Sequence, residues 1–212
     1  MDIDNINNIK ENFSYLKTEP IIDYRNGNIF MYEILYKNVI PNNILFSTVN
    51  TTLDLYIFSQ LFNWYFKYKR FEVPIFSINC FFETYYLHNS HFNKLLHMCK
   101  NLYIELTEIS NWGNYSYNNI NLINVDRVIL DDFGINNHSL DKLNIKSFAI
   151  KLDRIFLDYS PVFLKEFIDY ANSLNIISIF EKIETESELK KVLGAGCFYV
   201  QGFINKKIIN FN

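Results

Sequence analysis

Seven polar side chains share one sequence context, because each directly follows a short run of β-branched or aromatic residues. They are Glu33, Asn79, Glu105, Asp131, Lys151, Glu181 and Gln201. Carboxylates cannot lie close together as bare charges, since like charges repel or raise one another's pKa. A divalent cation would resolve this conflict, and oxygen ligands suit Mg²⁺, Mn²⁺ or Ca²⁺ rather than structural zinc. The pattern indicates a metal site, provided that the fold brings these residues together.

Two further features refine this chemistry. Asp131 and Asp132 are adjacent carboxylates that could serve neighbouring ions, and two ions about 3.5–4 Å apart form a clamp for displacement at phosphorus. Lys151 leaves two interpretations open. It is either a cation that holds an acid or a phosphate oxygen, or a Schiff-base nucleophile as in some barrel aldolases. Acidic surroundings would keep its ammonium protonated, which favours the first interpretation.

The elements around these residues alternate between short apolar runs and helical stretches, as in βα units. Asn26-Gly27 is a hairpin signal between two extended segments, so the chain is expected to open with an antiparallel pair. We predict an α/β fold, a (β/α)8 TIM-like barrel with an antiparallel opening strand. The carboxyl ends of barrel strands meet at one rim, where barrel enzymes have their sites. A strand can also end in a polar residue merely because loops are wet, but seven such runs favour the barrel.

Helix signals fill the intervals between these runs. Leu53–Phe66 is apolar on most sides and predicts a buried helix. Thr185 and Glu188 have the spacing of a capping box, and Gly194 stands where that helix can end.

Composition limits the class of protein. The chain has 212 residues, 49% of them hydrophobic, and no linker, so we predict a single barrel domain over residues 1–212. The formal charge of −3, without a run of basic residues, argues against a duplex nucleic-acid partner. No apolar run is long enough for a membrane span, and the start lacks a secretory signal. Together with three cysteines that lack metal-ligand spacing, this predicts a cytoplasmic protein.

The same residues form an ordered set of motifs from about residue 19 to residue 207. In chain order they are Tyr32-Glu33-Ile34-Leu35, Ser77-Ile78-Asn79, Glu105-Leu106-Thr107-Glu108, Asp131-Asp132-Phe133-Gly134, Lys151-Leu152-Asp153, Glu181-Lys182-Ile183-Glu184-Thr185 and Gln201-Gly202-Phe203. This set resembles the EAL, Asn-strand, ExTE, DDFG, KxD, EGVET and QGY motifs of the EAL-domain family. Each tripeptide alone is a weak signal, but the ordered set is specific.

The resemblance implies a phosphodiesterase that opens one bond of cyclic di-GMP to give linear pGpG, with two Mg²⁺ or Mn²⁺ ions. It assigns the first ion to Glu33, Asn79, Glu105 and Asp131, and the second to Asp131, Asp132 and Glu181. The catalytic residues would be Glu181, as base or water-orienting group, Lys151 and Asp132. The substrate-binding residues would be Glu19, Leu35, Lys37, Glu184 and Gln201. Glu108 would support the loop after Asp132, and the chain would pair as a homodimer through helices near that loop.

Several positions depart from the family pattern. Residues 135–139 read Ile-Asn-Asn-His-Ser where the family has Thr-Gly-Tyr-Ser-Ser. Lys37 replaces an arginine and so loses bidentate phosphate recognition. Glu19 replaces a glutamine, and Lys182 replaces the glycine of EGVET. These departures leave a second hypothesis open, a degenerate EAL module that binds cyclic di-GMP or a protein partner without turnover.

Overall fold

Eight strands close into a barrel in sequence order. The computed structural model describes residues 13–38, 51–68, 74–107, 125–134, 140–145 and 147–205. The strands are β1 (Phe13–Asp23), β2 (Asn28–Asn38), β3 (Phe76–Cys80), β4 (Leu102–Leu106), β5 (Val128–Phe133), β6 (Ala149–Leu152), β7 (Ile177–Phe180) and β8 (Tyr199–Val200). The predicted α/β barrel is confirmed.

The first strand runs against its neighbours. β1 is antiparallel to β2 and to β8, whereas each successive pair from β2 to β8 is parallel. The predicted Asn26-Gly27 turn joins β1 to β2, and Gly27 has a φ of 74°, a conformation that glycine adopts without steric cost. Because β2–β8 are parallel, their carboxyl ends meet at one rim.

The alternation of side-chain direction along each strand determines which side chains point into the barrel. Successive side chains point to opposite faces, so each polar residue at a strand end shares its face with the residue two positions earlier. Below the rim, the side chains on this inner face form a buried apolar cluster. Its members are Ile21, Met31, Ile129, Ala149 and Ile179. The polar residues therefore lie on top of an apolar floor that excludes water from below.

Five α-helices surround the described barrel. They are α1 (Thr51–Tyr68), α2 (Phe82–Leu87), α3 (Asn89–Met98), α4 (Pro161–Ser173) and α5 (Glu186–Gly194). Three short 3-10 helices are Val125–Arg127, Leu140–Ile145 and Arg154–Asp158. Within the described residues, none of the helices combines the length and the apolar character that crossing a bilayer requires.

Two helices test the sequence expectations. The capping box at α5 is confirmed, since Thr185 Oγ1 accepts from the Glu188 amide at 3.2 Å and Glu188 Oε2 accepts from the Thr185 amide at 3.0 Å. The helix predicted over Leu53–Phe66 is present as α1, but the expectation of burial on most sides is wrong. Leu55 is 38% exposed, because only one face of α1 packs against the barrel.

Asp54 is a buried acid on the packed face of α1. Its Oδ2 accepts from the Phe81 amide at 2.8 Å, and the Cys80 thiol lies 3.7 Å away. Burial raises the pKa of Asp54 to about 7, and the nearby Glu83 adds to this effect. The folded protein therefore holds a proton on Asp54 under conditions in which the unfolded chain has released it.

We predict that Asp54 makes the protein less stable as pH rises from about 4 to about 7. In this window the folded state binds the extra proton, so the free energy of unfolding falls by about 1.4 kcal/mol per pH unit, in total on the order of 4 kcal/mol. Urea unfolding of the native chain and of Asp54→Asn at several pH values measures this contribution as a difference. Asp169→Asn, on the surface of α4, is the control. A difference that does not change with pH would contradict the prediction.

Candidate functional site

One ammonium lies among four carboxylates at the barrel rim. Lys151 Nζ is 3.1 Å from Glu33 Oε2, 2.7 Å from Glu105 Oε2, 3.0 Å from Asp131 Oδ1 and 2.6 Å from Glu181 Oε1. The acids come from β2, β4, β5 and the position after β7, and Lys151 comes from β6. The barrel thus brings together side chains that are as much as 148 positions apart in the printed sequence. We call Glu33, Glu105, Asp131 and Glu181 the carboxylate cluster.

Amide and hydroxyl groups complete the cluster. Asn79 Nδ2 donates to Glu33 Oε1 at 2.7 Å, and Gln201 Nε2 donates to Glu33 Oε2 at 2.6 Å. The Ser77 hydroxyl donates to Glu105 Oε1. Glu33 therefore accepts hydrogen bonds from two amides as well as from Lys151, which fixes the orientation of its carboxylate.

Two amide oxygens beside the cluster lack a donor. Asn79 Oδ1 and Gln201 Oε1 are buried, and no group in the described part of the chain donates to either of them. A buried acceptor without a partner costs about 1–3 kcal/mol. An amide oxygen next to carboxylates is a ligand type that Mg²⁺, Mn²⁺ and Ca²⁺ accept. The unpartnered Asn79 oxygen is therefore an observation in favour of a cation at this position.

The charge of the cluster is unbalanced, because four carboxylates face a single ammonium. Burial is the main cause that raises the pKa of Glu105 to about 8 and that of Glu181 well above its usual value, and neighbouring carboxylates add to both shifts. The pKa of Asp131 is raised for the same reasons. Burial acts in the same direction on Glu33, but Lys151 and the two amides outweigh it and lower the pKa of this acid. In the absence of a divalent ion, protons must balance part of the charge.

The surroundings of Lys151 decide between its two interpretations. Burial alone would lower the pKa of its ammonium, but the four carboxylates raise it well above the usual value. A Schiff-base nucleophile needs the neutral amine. Lys151 is therefore a permanent cation, and the aldolase-like interpretation does not fit this site.

The donor set fits a hard divalent cation by its chemistry. Glu33, Asn79, Glu105 and Asp131 offer only oxygen ligands, and the cluster has surplus negative charge. Within the described residues, however, no three acidic, histidine or cysteine side chains are already arranged around a common ion position. Lys151 contacts the same oxygens that an ion would need, so ion binding requires its ammonium to withdraw.

A second ion-pair group lies beside the cluster. Lys182 Nζ is 2.7 Å from Asp132 Oδ1 and also contacts Asp153 Oδ2. Asp132 and Lys182 both have left-handed backbones, with φ of 44° and 56°. Burial opposes the charge of Lys182, but the two carboxylates outweigh it and raise the pKa of the ammonium.

A cavity of about 300 Å³ opens above the cluster. Nine of the residues singled out from the sequence line it, namely Glu19, Glu33, Leu35, Asp131, Asp132, Lys151, Glu181, Glu184 and Gln201. Asn79 and Glu105 are not part of the cavity lining but are bonded to residues that are, Asn79 to Glu33 and Glu105 to Lys151. The backbone of Lys37 belongs to β2, but its side chain lies outside the described part, as do Glu108 and residues 135–139.

Glu19 and Glu184 are peripheral to the cluster. Glu19 forms an ion pair with Lys17, and Glu184 lies 3.7 Å from Arg154 with a side chain that is 46% exposed. Both line the cavity, and Glu19 lies directly opposite Glu33 in the register of β1 and β2. Their position suits contact with a ligand better than contact with an ion.

The sequence analysis gave no role to two residues of the cavity wall. Phe203 and Asn205 line the cavity, and Asn205 Nδ2 donates to the Val200 carbonyl at 2.8 Å. Gly202, with a φ of 150°, allows this turn, because a Cβ there would lie 2.2 Å from the Ile183 carbonyl oxygen. The glycine of the Gln201-Gly202-Phe203 motif was the available signal. The loops after β7 and β8 thus touch along their backbones.

We predict that Lys151→Met destabilises the protein by roughly 3–5 kcal/mol when divalent ions are chelated. The substitution keeps an apolar stem of similar length but leaves buried carboxylates without their cation. Urea unfolding in a chelating buffer measures the change. Lys165→Met is the matched control, since it removes an exposed i,i+4 ion pair with Asp169, which contributes about 0.3–0.5 kcal/mol. Equal losses in the two variants would contradict the role of Lys151.

Known proteins share this architecture. The sequence model of the EAL domain matches residues 7–207 of the chain. Comparison with curated protein sequences finds no significant match. Among solved structures, the EAL domain protein from Listeria monocytogenes EGD-e is similar with a TM-score of 0.69 and 19% identity, over 96% of this chain and 92% of that one.

Two further structures have the same fold. The EAL domain of Mycobacterium smegmatis DcpA gives a TM-score of 0.70 at 18% identity, over 89% of this chain and 90% of that one. Klebsiella pneumoniae BlrP1, in a manganese/cy-diGMP complex, gives 0.72 at 17% identity over 89% of this chain. The chain spans about half of BlrP1, since the match covers 54% of that protein.

Proposed function

Because the chain belongs to the EAL domain family, we propose that it is a metal-dependent phosphodiesterase that hydrolyses cyclic di-GMP to linear pGpG. The observation that carries this proposal is the carboxylate cluster at the floor of an open cavity, with the unpartnered Asn79 oxygen beside it. The proposed functional unit is a single barrel domain over residues 1–212.

The proposal assigns the ions to the oxygen-rich rim. Glu33, Asn79, Glu105 and Asp131 would hold the first Mg²⁺ or Mn²⁺. The residues that would face a second ion are Asp131, Asp132 and Glu181. When bound, such a pair of ions activates the attacking water and stabilises the leaving oxygen.

The protein's own side chains supply the rest of the mechanism. Glu181, held by Lys151 at 2.6 Å, would orient the water and take its proton as the new P–O bond forms and the ester P–O bond breaks. Once released from Glu33, Glu105 and Asp131, Lys151 would steady the attacking water or hold a phosphate oxygen. Glu19, Leu35, Lys37, Glu184 and Gln201 would contact the dinucleotide, and Glu108 would brace the loop after Asp132.

A second candidate function has its own support. Lys182 already pairs with Asp132, and Glu19 adds a negative charge to a cavity proposed for an anion. Both features favour a degenerate module that binds cyclic di-GMP or a protein partner without turnover. This alternative predicts binding of the dinucleotide without formation of pGpG.

We expect the purified chain to convert cyclic di-GMP to pGpG in the presence of Mg²⁺ or Mn²⁺, as followed by chromatography. Glu33→Gln and Glu181→Gln should each lower turnover by about 10³-fold or more, because each removes a charge proposed to act on the ions or the water. Glu166→Gln, an exposed acid on α4, is the control and should retain activity.

The outcomes separate the two candidate functions. Binding without product, with either ion, would leave only the degenerate module. Persistent turnover in both cluster variants would show that the roles assigned to Glu33 and Glu181 are wrong. Circular dichroism of each variant verifies that the barrel is intact.

The proposal includes a homodimer, which an apolar face near the site supports. Four apolar or aromatic side chains in the segment from the Arg154–Asp158 helix to the first turn of α4 are exposed, namely Ile155 (51%), Tyr159 (54%), Val162 (66%) and Phe163 (38%). Phe156, in the same segment, packs against Gly134 at the end of the DDFG motif. Pairing through this face would therefore be connected to the loop that follows Asp132.

We predict that Val162→Glu converts the dimer to a monomer in analytical ultracentrifugation, because a buried, unpaired charge at an interface is strongly unfavourable. Leu87→Glu is the matched control, since Leu87 is 63% exposed on α2, away from this face. Loss of the dimer in both variants, or in neither, would contradict the assigned interface.

The proposed location is the cytoplasm. Cys80, Cys99 and Cys197 are all free thiols in the described structure. Free buried thiols are typical of proteins in reducing compartments.

A further inference from the structure

Lys182 forms an ion pair with Asp132, one carboxylate of the site. It directly follows Glu181, lines the same cavity and has its ammonium 2.7 Å from Asp132 Oδ1. Asp132 contacts no part of Lys151 among the described ion pairs, whereas Asp131 and Glu181 both do. Lysine ammonium groups therefore already pair with all three carboxylates of the proposed second-ion set.

The backbone shows that a lysine is an unusual occupant of this position. A φ of 56° lies in the left-handed region, which disfavours any residue with a Cβ relative to glycine. The resembling motif has glycine here, and glycine would adopt this conformation freely. The lysine instead places a positive charge where glycine would place none.

Asp153 gives the ammonium a second partner. It contacts Lys182 Nζ through Oδ2 and accepts from the Ile155 amide at 2.9 Å through Oδ1. Because the Lys182 side chain is 54% exposed, it has room to leave Asp132 and remain paired with Asp153.

We propose that Lys182 is a tethered cation that competes with the second divalent ion for Asp132. This inference rests on the proposed metal-dependent function. In the chain as it stands, the first ion binds to the set around Glu33, and the second must displace the ammonium toward Asp153. The second ion therefore binds more weakly than it would without the Lys182 ammonium, so that Lys182 sets the ion concentration at which the site becomes complete.

The physical basis is charge competition at one carboxylate. An incoming divalent ion must break the Asp132–Lys182 pair and then lie near a positive charge that stays within reach on Asp153. The neighbouring ammonium of Lys151 adds to this repulsion from the other side. Removing the Lys182 charge should tighten the second site by at least about tenfold, because the ion no longer has to break the Asp132–Lys182 pair and no longer feels the repulsion of this ammonium on its two charges.

Manganese titration of the full chain tests the inference without relying on activity. Unbound Mn²⁺ is counted by electron paramagnetic resonance, and binding heats are measured by calorimetry. The native chain should bind its second ion at least about tenfold more weakly than the Lys182→Asn variant does. Lys182→Asn, which removes the charge and suits a left-handed backbone, should leave the affinity for the first ion largely unchanged. Lys182→Arg keeps the charge and should behave as the native chain does.

A further pair of variants identifies the second ion's position. Adding Asp132→Asn to Lys182→Asn should return the titration to one tight ion, because the carboxylate released by the first change is then lost. Glu33→Gln should instead weaken the first ion, whichever residue stands at position 182.

Two different results would contradict the inference, and only the second would also contradict the metal-dependent function. Identical titrations of the native chain and Lys182→Asn, with one or two ions each, would overturn the inference while leaving the metal-dependent function in place. Failure of every variant to bind Mn²⁺ would overturn both, since neither the cluster nor the released Asp132 would then hold an ion.

Discussion

The contact of one buried ammonium with four carboxylates is the constraint on which the rest of the site depends. An ammonium and carboxylates lose several kcal/mol of hydration each on burial, and only close pairing compensates for this loss. Lys151 supplies that pairing, but a single positive charge is too little for four acids. The excess must be met by protons or by a divalent ion. A site with this charge imbalance can exchange its protons for a divalent ion, because carboxylates bind metal in their deprotonated form.

The barrel creates this arrangement through two regularities. Parallel strands end at the same rim, and alternation places every second side chain inside. The apolar floor of Met31, Ile129 and Ala149 follows from the same alternation and keeps water from the lower side of the acids. Two close approaches at glycines then join the rim loops, one to the backbone of Ile183 and one to the ring of Phe156. Gly202 lies against Ile183, and Gly134 lies against Phe156, so neither position has room for a side chain.

Much of this could be predicted from the sequence because its causes are local. The hairpin at Asn26-Gly27 and the capping box at Thr185 depend on neighbouring residues, and both are present. The polar residue after each apolar run sufficed to predict the barrel rim. The one-sided packing of α1 could not be predicted, since an apolar helix does not reveal which of its faces the barrel covers.

Long-range contacts were the other limit of sequence reasoning. Nothing in the motifs shows that the Lys151 ammonium contacts all four acids at once, or that Lys182 reaches across to Asp132 and Asp153. These contacts depend on side-chain directions at the ends of different strands. Lys182 was visible in the sequence as a departure from glycine, but its partners become evident only in three dimensions.

The central claim is that the carboxylate cluster exchanges its lysine for a divalent ion. Anomalous diffraction from crystals grown with Mn²⁺ and cyclic di-GMP tests it most directly. The account predicts an anomalous peak in contact with Glu33, Asn79, Glu105 and Asp131, with the Lys151 ammonium displaced from at least part of the cluster. A well-ordered site without such a peak, in which Lys151 still contacts all four carboxylates beside bound dinucleotide, would contradict it.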